Sequence, residues 1–385
     1  MSRPLPTPPI PGLLVAVLLA AAPAAWAQDD IAAGLRIVHE ELEAWDREAA
    51  RQAVDELAAR APDLPAVKAM QARVAFEESD YARAVALFDE LSDQSALAQL
   101  ARATHKETRG YESRESRHFV FHYPPGKDAV LAPYALEALE KAYAALAEDL
   151  GYAPPGKIHV EVYHDARALS RVSTLSLEAI KTSGTIAICK FNRLMVTSPK
   201  ALVRGYDWLD TLVHEYVHLV VSKMSRNTVP IWIHEGLAKF LESRWRGPAG
   251  QALSPASAAL LAHELKRDKL IPFERMHPSM ALLPSQEDAA LAFAEVFTAI
   301  EYLHGKGGNA LLVKLIEELR RGSRYDLAVA KVVGVPFARF QSDWRAYLSK
   351  REFPKETLSL AAEKRRFTED DARAKAAAKS GDEKK

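Results

Sequence analysis

The chain is poor in sulfur and glycine and carries no excess of either charge. A single cysteine, Cys189, among 385 residues excludes an intrachain disulfide and a disulfide-stapled scaffold. Seventeen glycines are too few for a collagen-like repeat. Lysine plus arginine and aspartate plus glutamate both number 51, so no global field recruits nucleic acid or an anionic membrane. A membrane anchor is not expected: the N-terminal apolar run, Leu13 to Ala22, is bracketed by Pro11 and Pro23 and falls short of the roughly 20 apolar residues a span needs.

The residues present are those of an ordinary globular protein, 48% hydrophobic and 26% charged, and the length predicts two or three domains. Arg3, the Leu13 to Ala22 run and Ala25-Trp26-Ala27 follow the order of a secretory signal peptide cleaved after Ala27. Residues 1–27 are therefore read as a leader, and the mature protein as exported, periplasmic or extracellular, without stable membrane insertion. Cys189 follows Ile186 and Ile188 and is read as a small packed hydrophobe.

Residues 28–110 are Ala-rich, with helical periodicity and almost no strand signal. An offset of 34 residues aligns Ala50 with Ala84, Val54 with Phe88 and Leu57 with Leu91. The segment Phe76 to Ala84, with Val85 and Phe88, resembles the turn and second helix of a tetratricopeptide repeat. Fewer than three repeats do not bury a solenoid core alone, so these helices are expected to dock on the domain C-terminal to them or to engage a protein partner. From Tyr111 the pattern changes. Strands are expected over residues 118–123 and Ile158 to Tyr163, around a helix from Ala129 to Leu150. Two short strands, Thr185 to Ile188 and Leu194 to Thr197, join through Phe191-Asn192, and helices dominate from Trp208 to Tyr347. The fold class is α+β, with one domain over residues 111–355 and a charged tail over 356–385.

His214-Glu215-Tyr216-Val217-His218 is an H-E-x-x-H motif in a helical pattern. Residues four apart lie one above the other on a helix, so both imidazoles reach one ion. Glu215 stands beside them, placed to take a proton from water. Leu212, Val213, Tyr216, Val217, Leu219, Val220 and Val221 cover most of the circumference, which makes the helix a buried one. A buried carboxylate demands a cationic partner, and zinc satisfies all three groups. The competing interpretation is a structural network of two core histidines and a neutral glutamate.

Catalytic zinc usually holds three protein ligands. Trp232-Ile233-His234-Glu235-Gly236-Leu237-Ala238 stands on the next helix, after Pro230. Here the chain resembles the gluzincin metallopeptidases, in particular the peptidase-MA-like group that often follows tetratricopeptide repeats. The resemblance implies a zincin-like domain with a small mixed sheet, an active-site helix and a helical C-terminal part. It makes Glu235 the third zinc ligand, and it extends from about Ser116 to Leu348, with Val333 to Phe337, Phe340 and Trp344 similar to the group's closing segment. His234 competes for the ligand role but stands 100° from Glu235 on the helix, so it is read as a support behind the ligands or as exposed. His118 and His122 lie about 13 Å apart along a strand and are poor ligands.

The resemblance further implies peptide hydrolysis by a zinc-activated water with Glu215 as general base, on an extended substrate added beside an edge strand, for which Gly184 to Ile188 is the candidate. An ordinary core strand is the plainer reading of that segment. In the stretch expected to hold a tyrosine that stabilises the transition state stand Phe293 and Phe297. Tyr302 is read as packing with Ile300 and Leu303, and His304 has no assigned role. No G-x-M-E-N-type segment is present, which favours endopeptidase action. The rival function is a protein-interaction scaffold with a catalytically weak or inactive metallopeptidase-like domain.

Overall fold

The Ala-rich periodicity becomes five helices in the computed structural model, which describes residues 29–352 apart from 203, 204 and 252. The leader read at 1–27 and the charged tail read at 356–385 lie outside the described residues. Helix α1 covers residues 29–43. It is followed by α2 (Arg47–Arg60), α3 (Pro65–Glu77), α4 (Tyr81–Glu90) and α5 (Ala96–Glu107). Their core includes Val38, Leu42, Ala50, Val54, Leu57, Val67 and Val74. The 34-residue offset recurs in backbone detail. Trp45 and Ser79 both take positive φ, at 61° and 63°. The next residues, Asp46 and Asp80, cap α2 and α4 by accepting from the backbone N–H of Ala49 and Arg83. Ala50 and Ala84 are fully buried one turn later.

A second compact unit begins at Ala103, inside α5, eight residues before the change of pattern at Tyr111. The last turn of α5 belongs to it, tied through Glu107 to Arg171 at 2.7 Å. This unit carries a five-stranded sheet: β1 (Glu112–Glu115), β2 (Phe119–Tyr123), β3 (Ile158–Tyr163), β4 (Ala187–Lys190) and β5 (Arg193–Thr197), in the order β1-β2-β3-β5-β4. β2, β3 and β5 run parallel, and β1 and β4 add antiparallel at the edges. Helix α6 (Leu131–Leu150) crosses from β2 to β3, and α7 (Ala166–Val172) and α8 (Leu177–Ser183) follow β3. The turn between β4 and β5 is Phe191-Asn192, both at positive φ (54° and 56°), as a two-residue hairpin of matching twist requires.

Two segments differ from expectation. Strand β1 has no hydrophobic signal because all four residues are exposed; it is held by its pairing with β2. The edge strand lies at Ala187–Lys190 rather than Gly184 to Ile188. Gly184, at φ 74°, ends α8, so its segment leaves a helix before it can pair.

Helices α9 (Trp208–Ser225), α10 (Ile231–Leu241), α11 (Pro255–Lys266), a run α12 (Gln286–Arg320) broken at Gly308, α13 (Tyr325–Val333) and α14 (Phe337–Lys350) complete the unit. α9 is the central element, packed against α6, α10, α12, β4 and β5. Trp232 on α10 stacks on Phe273 at 4.2 Å, and Phe273 meets Trp344 of α14. Tyr302 meets Phe340 and Tyr347. No described helix is long and apolar enough to cross a membrane.

α10 lies close on α12 because Gly236 has no side chain. A Cβ there would sit 2.6 Å from Ile300 Cγ1 and 2.8 Å from the Val296 carbonyl oxygen. The latter is backbone and cannot swing aside. Gly236→Ala should destabilise the unit by about 1–3 kcal/mol, read by chemical denaturation. Glu295, fully buried on α12, accepts from the Ile271 N–H at 2.9 Å. Its other oxygen has no hydrogen-bond partner. Burial pushes its pKa up to about 8, against the opposing pull of that N–H and of Arg345. The folded chain then holds a proton that the unfolded chain has released above about pH 4.3. Stability therefore falls as pH rises from there to about 8. Glu295→Gln should gain stability over the wild type by about 3–4 kcal/mol more at pH 8 than at pH 5; an equal difference at both values would contradict the assignment.

Candidate metal centre

α9 is buried on nearly every side: Leu212, Val213, Tyr216, Val217, Leu219, Val220 and Val221 are all fully buried. His214 and His218 occupy the remaining sector, one turn apart, and face Glu235 on α10. Three atoms meet there. His214 Nε2 and His218 Nε2 are 3.1 Å apart, and each lies 3.3 Å from Glu235 Oε2. The side chains are 12–19% exposed, open enough for access and buried enough to make charge costly. A tetrahedral ion with ligand bonds of about 2.0–2.1 Å spans ligand pairs of roughly 3.3 Å. The triangle has that size, and its chemistry, two imidazole nitrogens and one carboxylate oxygen, suits zinc. Among the described residues this is the one group of three or more His, Cys, Asp or Glu side chains so arranged.

The far side of each imidazole is also held. His214 Nδ1–H donates to Glu242 Oε2 at 3.1 Å, and Glu242 in turn pairs with Lys239. With its Nε2 turned to the triangle, His218 donates from Nδ1 to His234 Nδ1 at 2.5 Å. The two rings stack with 7° between their planes. His234 Nε2 then donates to Ser222 Oγ at 3.1 Å. Burial, with His218 nearby, pushes the His234 pKa down to about 3, so the ring is neutral and can accept. His234 is thus a support behind His218 and does not reach the triangle.

Charge balance at the triangle favours the anion at Glu235 and a cation against it. Burial works against both charged forms, yet His218 and His214 hold the Glu235 carboxyl well below its usual range. Glu235 and Glu242 overcome burial to push His214 up to about 10. Glu215 stands apart on the next sector of α9. It is 6% exposed, raised by burial and by Glu235 against the pull of both histidines, and it accepts from the backbone N–H of Cys189 on β4. The Cys189 thiol is itself pushed well up by burial and by Glu215.

A family model, that of the Peptidase MA superfamily, matches residues 138–350, from the middle of α6 to the end of α14. The chain belongs to the Peptidase MA superfamily. The match contains every member of the triangle together with Glu215. No curated protein matches the chain. Members of this superfamily are generally zinc-dependent, and the residues present fit that ion by number, spacing and chemistry.

Four other histidines of this peptidase-like unit are engaged elsewhere. His118 is bound to Glu140 at 2.6 Å and stacked on Tyr143. His122 pairs with His159 at 2.9 Å, and His304 bonds Asn309 at 3.1 Å. Phe293 packs its ring against His214 at 6.2 Å. Sequence reasoning did not single out Glu242, Ser222 or the Cys189 N–H. A signal existed for Glu242 alone: it follows Glu235 by seven residues, two helical turns, and so shares its face. His234→Ala and Glu242→Ala should each weaken zinc affinity about 10–100-fold, measured by competition with a chelator. His234→Asn, which keeps an acceptor, should recover part of the loss; unchanged affinity in both alanine variants would refute the supporting roles.

Proposed function

We propose that the chain is an exported zinc metallopeptidase of the gluzincin type, acting as an endopeptidase on peptide or protein substrates. The observation that carries this reading is the triangle of His214, His218 and Glu235 with Glu215 alongside. A structural network of two histidines needs only one carboxylate. Here three donors converge on one point, two further groups orient the imidazoles, and another acidic side chain stands beside them.

His214, His218 and Glu235 would hold the zinc. When bound, zinc activates water for attack and polarises the scissile carbonyl. Glu215 takes the proton from the attacking water and delivers one to the leaving amine. Its raised pKa suits a carboxylate that must both accept and release a proton, and the Cys189 N–H fixes where its oxygens lie. β4 supplies a place for substrate. The Thr197 N–H donates to the Ile186 carbonyl at 2.8 Å. With the two-residue period of a strand, the peptide groups of Ala187 and Cys189 face away from β5; the Cys189 N–H is taken by Glu215, and an extended peptide would add along that side at Ala187. The 34-residue recurrence of turn, cap and buried alanine supports a tetratricopeptide-like N-terminal region, which would recruit a protein partner.

One observation favours the scaffold reading: Phe293 stands against His214 where a hydrogen-bond donor to the transition state is wanted. Glu215 favours the peptidase reading, because a scaffold has no use for a buried base held by a backbone N–H. Glu215→Gln should retain one zinc per chain and lower peptide hydrolysis by about 10²–10⁴-fold. Cleavage at the wild-type rate by this variant, or no cleavage of any peptide by the zinc-loaded wild type, would overturn the reading.

A further inference from the structure

The polar chain behind His214 does not end at Glu242. Glu242 closes α10, and the residues after it keep helix-like turns. The N–H groups of Arg244 and Arg246 donate to the carbonyls of Leu241 and Ser243 at 2.9 and 3.0 Å. Arg246 therefore follows Glu242 by four residues, the spacing and order at which a carboxylate and a cation on one helix normally pair. The two are close enough for the charge of Glu242 to act on Arg246. Among the described residues, however, Arg246 gives its hydrogen bonds elsewhere.

Asp210 takes it instead. This residue lies on α9 one turn before His214, and its two oxygens accept from Arg246 Nε at 2.9 Å and Nη2 at 2.5 Å. Asp210 also accepts from Trp245 Nε1 at 2.8 Å. The third guanidinium nitrogen, Nη1, donates to Gln251, and the guanidinium carbon lies 6.0 Å from the Trp245 ring. Asp207 adds a weaker attraction from the start of α9. All three nitrogens are thus turned from Glu242, whose oxygens serve other groups: Oε2 accepts from His214 Nδ1 at 3.1 Å, and Oε1 from Lys239.

We propose that Asp210 is a positioning residue for the metal centre: it holds Arg246 off Glu242 and so leaves Glu242 to orient His214. The proposal rests on the zinc reading of the triangle and extends its support by two residues. Without the charge of Asp210, Arg246 turns to the carboxylate four residues before it. A second cation on Glu242 draws its Oε2 away from the His214 N–H. The ring then loses its orientation, and its Nε2 becomes a weaker donor.

The test is zinc affinity, by competition with a chelator, for the wild type, Asp210→Asn, Arg246→Met and the double variant. Asp210→Asn keeps an oxygen for Trp245 Nε1 and removes only the charge. It should bind zinc about tenfold more weakly. The double variant should recover most of that loss, because the competitor for Glu242 is gone. Arg246→Met alone should bind zinc no more weakly than the wild type. A role for Asp210 in packing alone gives the opposite pattern, with the double variant as weak as Asp210→Asn or weaker. That pattern, unchanged affinity in Asp210→Asn, or a loss of about tenfold in Arg246→Met would overturn the proposal and leave the zinc site standing. A wild-type chain that binds no zinc would overturn the zinc reading and the role of Asp210 with it.

Discussion

The structure of the second unit depends on one constraint: a helix buried on nearly all sides must carry three polar groups toward one point. α9 can sit between the sheet and α10 and α12 because its apolar residues fill those contacts. His214, His218 and Glu215 cannot be buried there without partners. α10 answers by bringing Glu235 to both imidazoles, and Gly236, the next residue, lets α10 approach α12 closely enough to do so. The close approach and the metal triangle are thus parts of one packing solution. Glu242 and His234 complete it by occupying the outer nitrogens of the ligands, with Ser222 behind His234.

The edge strand shares in this arrangement. β4 lies at the end of the sheet order beside α9, and the Cys189 N–H that turns away from β5 is taken by Glu215. The proposed base and the proposed substrate-binding edge are therefore positioned by the same strand.

Much of this was legible in the sequence because its signals are local. The spacing of His214 and His218 and the apolar circumference of α9 are helix properties. The Phe191-Asn192 hairpin and the Asp46 and Asp80 turns are set by residues next to one another. Glu235 was legible only through family resemblance, since nothing local distinguishes it from other helix glutamates. What escaped depends on tertiary contact. β1 is four exposed residues whose strand state comes from pairing with β2. The start of β4 was misplaced because Gly184 ends α8 and pairing with β5 begins only at Ala187, which no local signal marks. The role of His234 required knowing that α10 crosses α9 at His218. Glu295 is acidic in sequence, and only its burial on α12 pushes its pKa up.

The central claim is that the three donors form a zinc site, and metal content measures it most directly. The chain from Gln28 onward, purified without chelator or histidine tag, should hold one tightly bound zinc. Glu235→Ala should hold it far more weakly while keeping the wild-type fold by circular dichroism. A wild-type chain that stays free of zinc after incubation with a slight excess would contradict the claim and leave the triangle as a structural hydrogen-bond network.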